Sequence, residues 1–117
     1  AGVSMGLLHG AQADALLLCH DPSRETMRGL RGYRPPSLEA CLEANLVAAR
    51  LTSPDVRAVG VALNTSRLPL EAAQALCAET ADRLGLPCTD PHRMGVEPIL
   101  DRLLGTAEQT ITAMAAA

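Results

Sequence analysis

His20, Asp21, Ser23 and Arg24 stand within five residues of one another at the end of an apolar run, Ala15-Leu16-Leu17-Leu18-Cys19. An imidazole, a carboxylate, a hydroxyl and a guanidinium gathered so closely can move a proton and hold an anion. A second apolar run, Val56-Arg57-Ala58-Val59-Gly60-Val61-Ala62-Leu63, stops in the same way at Asn64-Thr65-Ser66-Arg67. Asn64 carries a donor and an acceptor on one amide, as recognition of a purine edge requires, and Thr65 and Ser66 add hydroxyls. The same three residues also suit a turn that ends a strand. A third polar tip, Thr89-Asp90-Pro91-His92-Arg93, follows Leu86-Pro87-Cys88, and Asp before Pro commonly starts a turn. Between the first tip and Ser37, four arginines (Arg24, Arg28, Arg31 and Arg34) fall in eleven residues. They form either a solvated loop or a clamp for phosphate or carboxylate, which the bidentate guanidinium fits.

Other chemistries are excluded by composition. All ten basic residues are arginine, so neither a Schiff base nor the phosphate-binding lysine of a P-loop can come from these residues. A formal charge of −3 argues against binding a phosphate backbone, and one Tyr with no Phe or Trp removes stacking on bases. No nucleic-acid partner is expected. His20 and Asp21 are neighbours on a strand and point to opposite faces, so no metal site is expected. Cys19 belongs to the apolar run, and direct neighbours seldom meet side chain to side chain, which disfavours a Cys19–His20 nucleophile pair. Cys19, Cys41, Cys77 and Cys88 read as buried free thiols in strand and helix patterns, which implies a reducing, cytoplasmic compartment. No apolar run approaches the ~20 residues of a membrane span.

These tips need strands and helices to carry them. With 48% apolar residues, 117 residues can bury one core, built from Leu, Val and Ala rather than from rings. Val3 to Gln12 reads as a short helix closed by Gly10, with His9 at its end either solvated or turned toward a ligand. Ala15 to Cys19 reads as a strand buried on both faces. Ser37 is a plausible N-cap for a helix whose apolar face is Leu38, Cys41, Leu42, Leu46 and Ala49. Val56 to Leu63 is the second strand. Pro69 opens a helix at N1, and Gly85 caps its far end. Leu86 to Pro91 is a short edge-like strand, since a proline is unsuited to a central one. Val96, Ile99, Leu100, Leu103 and Leu104 form a final amphipathic helix that frays from Thr106 onward. The order β-α-β-α-β-α calls for parallel pairing with right-handed crossovers and places the polar tips at the carboxyl ends of the strands. The chain opens in mid-pattern without Met, as a piece of a longer chain would.

The motifs Gly6-Leu7-Leu8-His9-Gly10, Leu18-Cys19-His20-Asp21-Pro22-Ser23-Arg24, Gly60-Val61-Ala62-Leu63-Asn64-Thr65-Ser66 and Gly85-Leu86-Pro87-Cys88-Thr89-Asp90-Pro91, with Arg93 and Gly95, resemble the bacterial family of D-glutamate N-acetyltransferases, formerly a domain of unknown function. The resemblance covers about Gly2 to Leu104. It implies an α/β fold with a three-layer parallel sheet, the later half of a P-loop NTPase-like domain related to dethiobiotin synthetase. Residues 1–117 would then be the C-terminal half of that domain, with the phosphate-binding loop and an N-terminal Rossmann-like domain absent from them. It further implies transfer of an acetyl group from acetyl-CoA to the amine of D-glutamate or a similar acidic amino acid, in D-amino-acid metabolism.

Such a transfer needs a general base to take the amine proton, and His20 at the first strand tip is the first choice, with His9 and Asp21 behind it. Asn64 matches the base-contacting asparagine of the dethiobiotin synthetase relatives. Thr65, Ser66, Asp90 and Pro91 would join it at the cofactor, and Ser23, Arg24 and Arg28 would hold either coenzyme A phosphates or amino-acid carboxylates. The expected partners are the rest of the parent chain or a companion chain, and further copies in a homo-oligomer. Two alternatives stand beside this reading: an ATP-dependent ligase or kinase of the dethiobiotin synthetase type, and a non-catalytic nucleotide-binding or assembly module.

Overall fold

The computed structural model describes residues 2–116, with side chains outside 106–113. Three parallel strands lie in the order β1-β2-β3: β1 (Ala15–His20), β2 (Arg57–Leu63) and β3 (Cys88–Thr89). The helices are α1 (Gly2–Ala11), α2 (Leu38–Arg50), α3 (Leu70–Leu84), α4 (Pro91–Met94) and α5 (Glu97–Ala116). This is the α/β architecture that the alternation of apolar runs and helical patterns predicts.

Local chemistry accounts for most boundaries. The Ser37 hydroxyl accepts from the Ala40 N–H at 3.1 Å and so satisfies one of the donors left open at the start of α2. Gly85, at φ 65°, closes α3 in the left-handed conformation that costs glycine nothing. Pro69 is the N-cap of α3 rather than its first helical residue. At the end of α1 the expectation fails. Gly10 is an ordinary helical residue, and the left-handed position is Gln12, at φ 49°.

Leu46 and Ala49 of α2, Val61 and Leu63 of β2, and Cys77 of α3 form the core with Val56, Ala58 and Leu86. Leu16 and Leu18 of β1 pack against it from the sheet edge. On the opposite face α5 packs over β2 and β3. There Gly60 permits close approach, since a Cβ at this position would sit 2.8 Å from Ile99 Cγ1 and 3.0 Å from the Pro87 carbonyl oxygen. The carbonyl belongs to backbone that cannot swing away. Gly60→Ala is therefore expected to destabilise the fold by about 1–3 kcal/mol, as overpacking does, read as a lowered denaturation midpoint.

The strand buried on both faces is β2, not β1. From Ala58 to Leu63 every residue of β2 is buried, whereas Leu17 of β1 is 45% exposed and Cys19 is exposed. Both apolar runs read as buried strands, and the neighbours that flank β2 on either side separate them. At the other end of the chain, α5 runs past Thr106 to Ala116, where the sequence predicts fraying. Among the described residues no helix is long and apolar enough to cross a membrane.

Candidate functional site

A register shift between Leu16 and Leu17 puts Val59 opposite no residue of β1 and aligns His20 with Leu63. The His20 carbonyl then accepts the Asn64 N–H at 2.9 Å, so the two strand tips leave the sheet side by side. Beyond them the chain turns tightly. Asp21 Oδ1 accepts from the Ser23 N–H at 3.0 Å and from the Ser23 hydroxyl at 2.6 Å, and the Arg24 N–H donates to the Asp21 carbonyl at 3.2 Å. This turn brings His20 and Asp21 to one cleft, although strand geometry would send them to opposite faces.

Two clefts open at the carboxyl end of the sheet. The wider, about 850 Å³, lies between the arginine loop and the start of α2, over Leu63, Leu76 and Thr80. The narrower, about 450 Å³, lies between the tips of β1 and β2 and the start of α4, and is lined by Asp21, Asn64, Pro91 and His92 among others. His20, Arg24 and Leu63 line both. Burial lowers the His20 pKa below its ordinary 6.5; Asp21 pulls it up and Arg24 pushes it further down. The balance leaves an imidazole that is unprotonated at neutral pH and able to accept a proton. Asp21 lies below the usual carboxylate range because the Ser23 hydroxyl and N–H both donate to it, with smaller contributions from Arg67 and Arg24. It is a weak base.

A buried carboxylate holds the frame of the narrower cleft. Asp90 is only 4% exposed. Its Oδ2 accepts from the Thr65 N–H at 2.9 Å and the Thr65 hydroxyl at 2.5 Å, and its Oδ1 accepts from the N–H groups of His92 and Arg93 at 3.0 and 3.3 Å. Burial alone would raise its pKa, but the Thr65 hydroxyl and N–H, followed by the two N–H groups of α4, outweigh it and hold Asp90 below its ordinary value. Pro91 at the first helical position pre-sets the turn that Asp90 caps. Arg93 completes the clasp, its Nη1 donating to the carbonyls of Thr65 and Leu68 at 2.7 and 2.9 Å.

The predicted residues therefore divide. His20, Asp21, Arg24, Asn64, Asp90 and Pro91 meet at the clefts. Thr65 is 1% exposed and lines neither; its polar groups are spent on Asp90, and the Asp90 oxygens on protein donors, so both build the wall and leave no free group for a ligand. Ser66, Ser23 and Arg28 also lie outside both linings. Ser66 and Ser23 are engaged in the turns made by Asn64 and Asp21, with the Ser66 N–H donating to Asn64 Oδ1 at 3.2 Å. The Asn64 amide thus keeps its Nδ2 donors for a base, with one lone pair of Oδ1 spent on the turn. His9 sits elsewhere, its Nε2–H donating to the Ala48 carbonyl in the last turn of α2 at 2.8 Å. It ties α1 to α2.

Among the lining residues that were not singled out from the sequence as site residues are His92, Arg34 and Glu25. His92 follows Asp90-Pro91, and a proline at N1 does signal that the next residue begins a helix; Arg34 was one of four equivalent arginines. Among the described residues no group of three or more His, Cys, Asp or Glu could hold a metal. Cys77 and Cys88 are also remote from nucleophilic chemistry. Burial pushes both thiols up, Cys88 to about 12. Both are expected to resist alkylation at pH 8 until the protein unfolds, which mass spectrometry of iodoacetamide-treated protein would read.

The family described as "Domain of unknown function (DUF1611_C) P-loop domain" matches residues 1–100. A D-glutamate N-acetyltransferase of Pseudoalteromonas sp is 48% identical over 103 residues, and another of Tritonibacter scottomollicae is 45% identical over 103 residues. In each case the match takes in 88% of this chain and 31% of the relative, so the chain spans about a third of the length of the curated relatives it matches. The crystal structure of a DUF1611 family protein from Anabaena variabilis superposes with a TM-score of 0.81 at 29% identity, over 90% of this chain and 31% of that one.

Proposed function

The chain belongs to the DUF1611 family through its C-terminal P-loop domain, and from that premise we propose that it supplies part of the active site of an N-acetyltransferase acting on D-glutamate or a similar acidic amino acid. The observation that carries the reading is the position of His20, whose imidazole lines both clefts and is held unprotonated at neutral pH. In this reaction the amine nitrogen attacks the thioester carbonyl of acetyl-CoA and forms the amide bond. The C–S bond breaks, His20 takes the proton that the amine loses and passes it to the leaving sulfur, and coenzyme A departs as the thiol. Setting the two reactants side by side at the strand tips supplies much of the rate.

Asn64 is assigned to the adenine of the donor, through its Nδ2 donor. Asn64→Ala is expected to raise KM for acetyl-CoA by about tenfold with kcat little changed, the loss of one hydrogen bond made equally in ground and transition states. The deciding assay incubates the full-length protein with acetyl-CoA and D-glutamate and follows thiol release and N-acetyl-D-glutamate. ATP consumption in place of thiol release would move the assignment to a ligase or kinase.

A further inference from the structure

Of the four loop arginines only Arg24 and Arg34 line the wider cleft. The reason lies in how the loop is closed. The Met27 N–H donates to the Tyr33 carbonyl at 2.8 Å, the Leu30 N–H to Met27 at 3.0 Å and the Tyr33 N–H to Leu30 at 3.3 Å. Gly29 and Gly32, at φ 80° and 82°, make the left-handed bends that such a closed turn needs. Arg28 and Arg31 fall inside this small turn, while Arg24 and Arg34 flank its neck on either side.

The charges of the cleft are then few. Arg83 is paired with Glu39 at 2.6 Å. Among the described residues, Arg24, Arg34 and Glu25 make no direct ion pair, and they line the cleft together with His20 and the apolar Leu38, Leu63 and Leu76. Two cations, one anion and an apolar patch are the complement of two carboxylates, one ammonium and the methylenes between them. The diphosphate and third phosphate of coenzyme A match this set poorly, because Glu25 offsets one of the two unpaired cations and most of their charge would go unbalanced.

Building on the acetyltransferase reading, we propose that the wider cleft is the acceptor site and that Arg34 together with Arg24 selects a dicarboxylic amino acid, Arg34 holding the side-chain carboxylate. The donor's base is thereby left to the narrower cleft at Asn64. His20, on the wall shared by the two, stands where acceptor amine and donor thioester meet.

The test compares D-glutamate with D-glutamine, its uncharged isostere, in the full-length protein. Calorimetric binding and KM are measured for wild type, Arg34→Gln, Arg34→Lys and Arg31→Gln. Arg34→Gln is expected to weaken D-glutamate binding and raise its KM by about 10–100-fold, the loss of a charge-assisted pair, with D-glutamine and acetyl-CoA changed by less than about threefold. Arg34→Lys should recover part of the loss, and Arg31→Gln should change nothing. Equal losses for D-glutamate and D-glutamine, or a raised KM for acetyl-CoA alone, would overturn the assignment, as would a wild type that binds neither amino acid. If the wild type transfers no acetyl group, the acetyltransferase reading fails by itself. An Arg34-dependent preference for D-glutamate in calorimetry would still establish the dicarboxylate site.

Discussion

Replacement of His20 by alanine is expected to lower kcat/KM for acetyl transfer by about 10²–10⁴-fold, the range a positioned general base supplies. The expectation rests on His20 lining both clefts and on its lowered pKa. The sign of the pH dependence follows. The base works unprotonated, so kcat/KM should rise with pH along an acid limb centred below 6.5 and be level above it. His20→Gln should abolish that limb as well as the rate. A loss below about tenfold, or an acid limb that survives the substitution, would remove His20 from the proton transfer. The same shift bears on stability in the opposite sense to a paired histidine. The unfolded chain takes up the proton more readily than the folded one, so His20 subtracts stability as pH falls below 6.5 and is neutral above it.

Asp90→Asn is expected to cost about 3 kcal/mol of stability, because hydrogen bonds to a charged group are worth roughly 1.5–3 kcal/mol and the amide cannot accept from all four donors. One side of the carboxylate serves Thr65 and the other serves α4, and an amide NH2 turned toward either meets donors instead of accepting from them. The denaturation midpoint should fall at unchanged slope. Thr65→Val, which removes only the hydroxyl, should cost less. Since the carboxyl is held below its ordinary value of 3.8, its contribution is complete above that pH and is lost as pH falls through the lower folded value; the Asn variant should lack this acid dependence. Wild-type stability in Asp90→Asn would mean that the clasp between the β2 tip and α4 contributes nothing. A second reading of the same variant is kinetic. His92 and Pro91 line the narrower cleft through the turn that Asp90 caps, so KM for the donor should rise along with the loss of stability.

Ser37, Gly85, the apolar stripe of α2 and the alternation of apolar runs with helical patterns were legible because each depends on local chemistry: a hydroxyl that caps, a residue that tolerates positive φ, a period of 3.6 or a short continuous run. The polar tips were legible for a related reason, since an apolar strand that ends abruptly in His, Asp, Asn or Arg delivers those groups to one end of a parallel sheet. Family membership, with a P-loop domain and D-glutamate N-acetyltransferases as relatives, accords with the motifs at those tips. Gly10 and Gln12 show where the same local logic misleads. Glycine is the commoner left-handed residue, but the helix ends where packing against α2 through His9 lets it end.

By itself the sequence determined the α/β class, the parallel order of crossovers, the caps and the set of polar groups available for chemistry, because those follow from residue types and their spacing along the chain. Tertiary structure alone decided that β2 rather than β1 is central, that His20 aligns with Leu63, and that the carboxylate of Asp90 is spent on Thr65 and α4 instead of being left for a ligand. It also separated Arg34 from Arg28 and drew His9 away to α2. In each case the outcome turns on which groups from distant parts of the chain compete for the same hydrogen bond or the same burial, and a buried polar group takes the partner that packing brings to it.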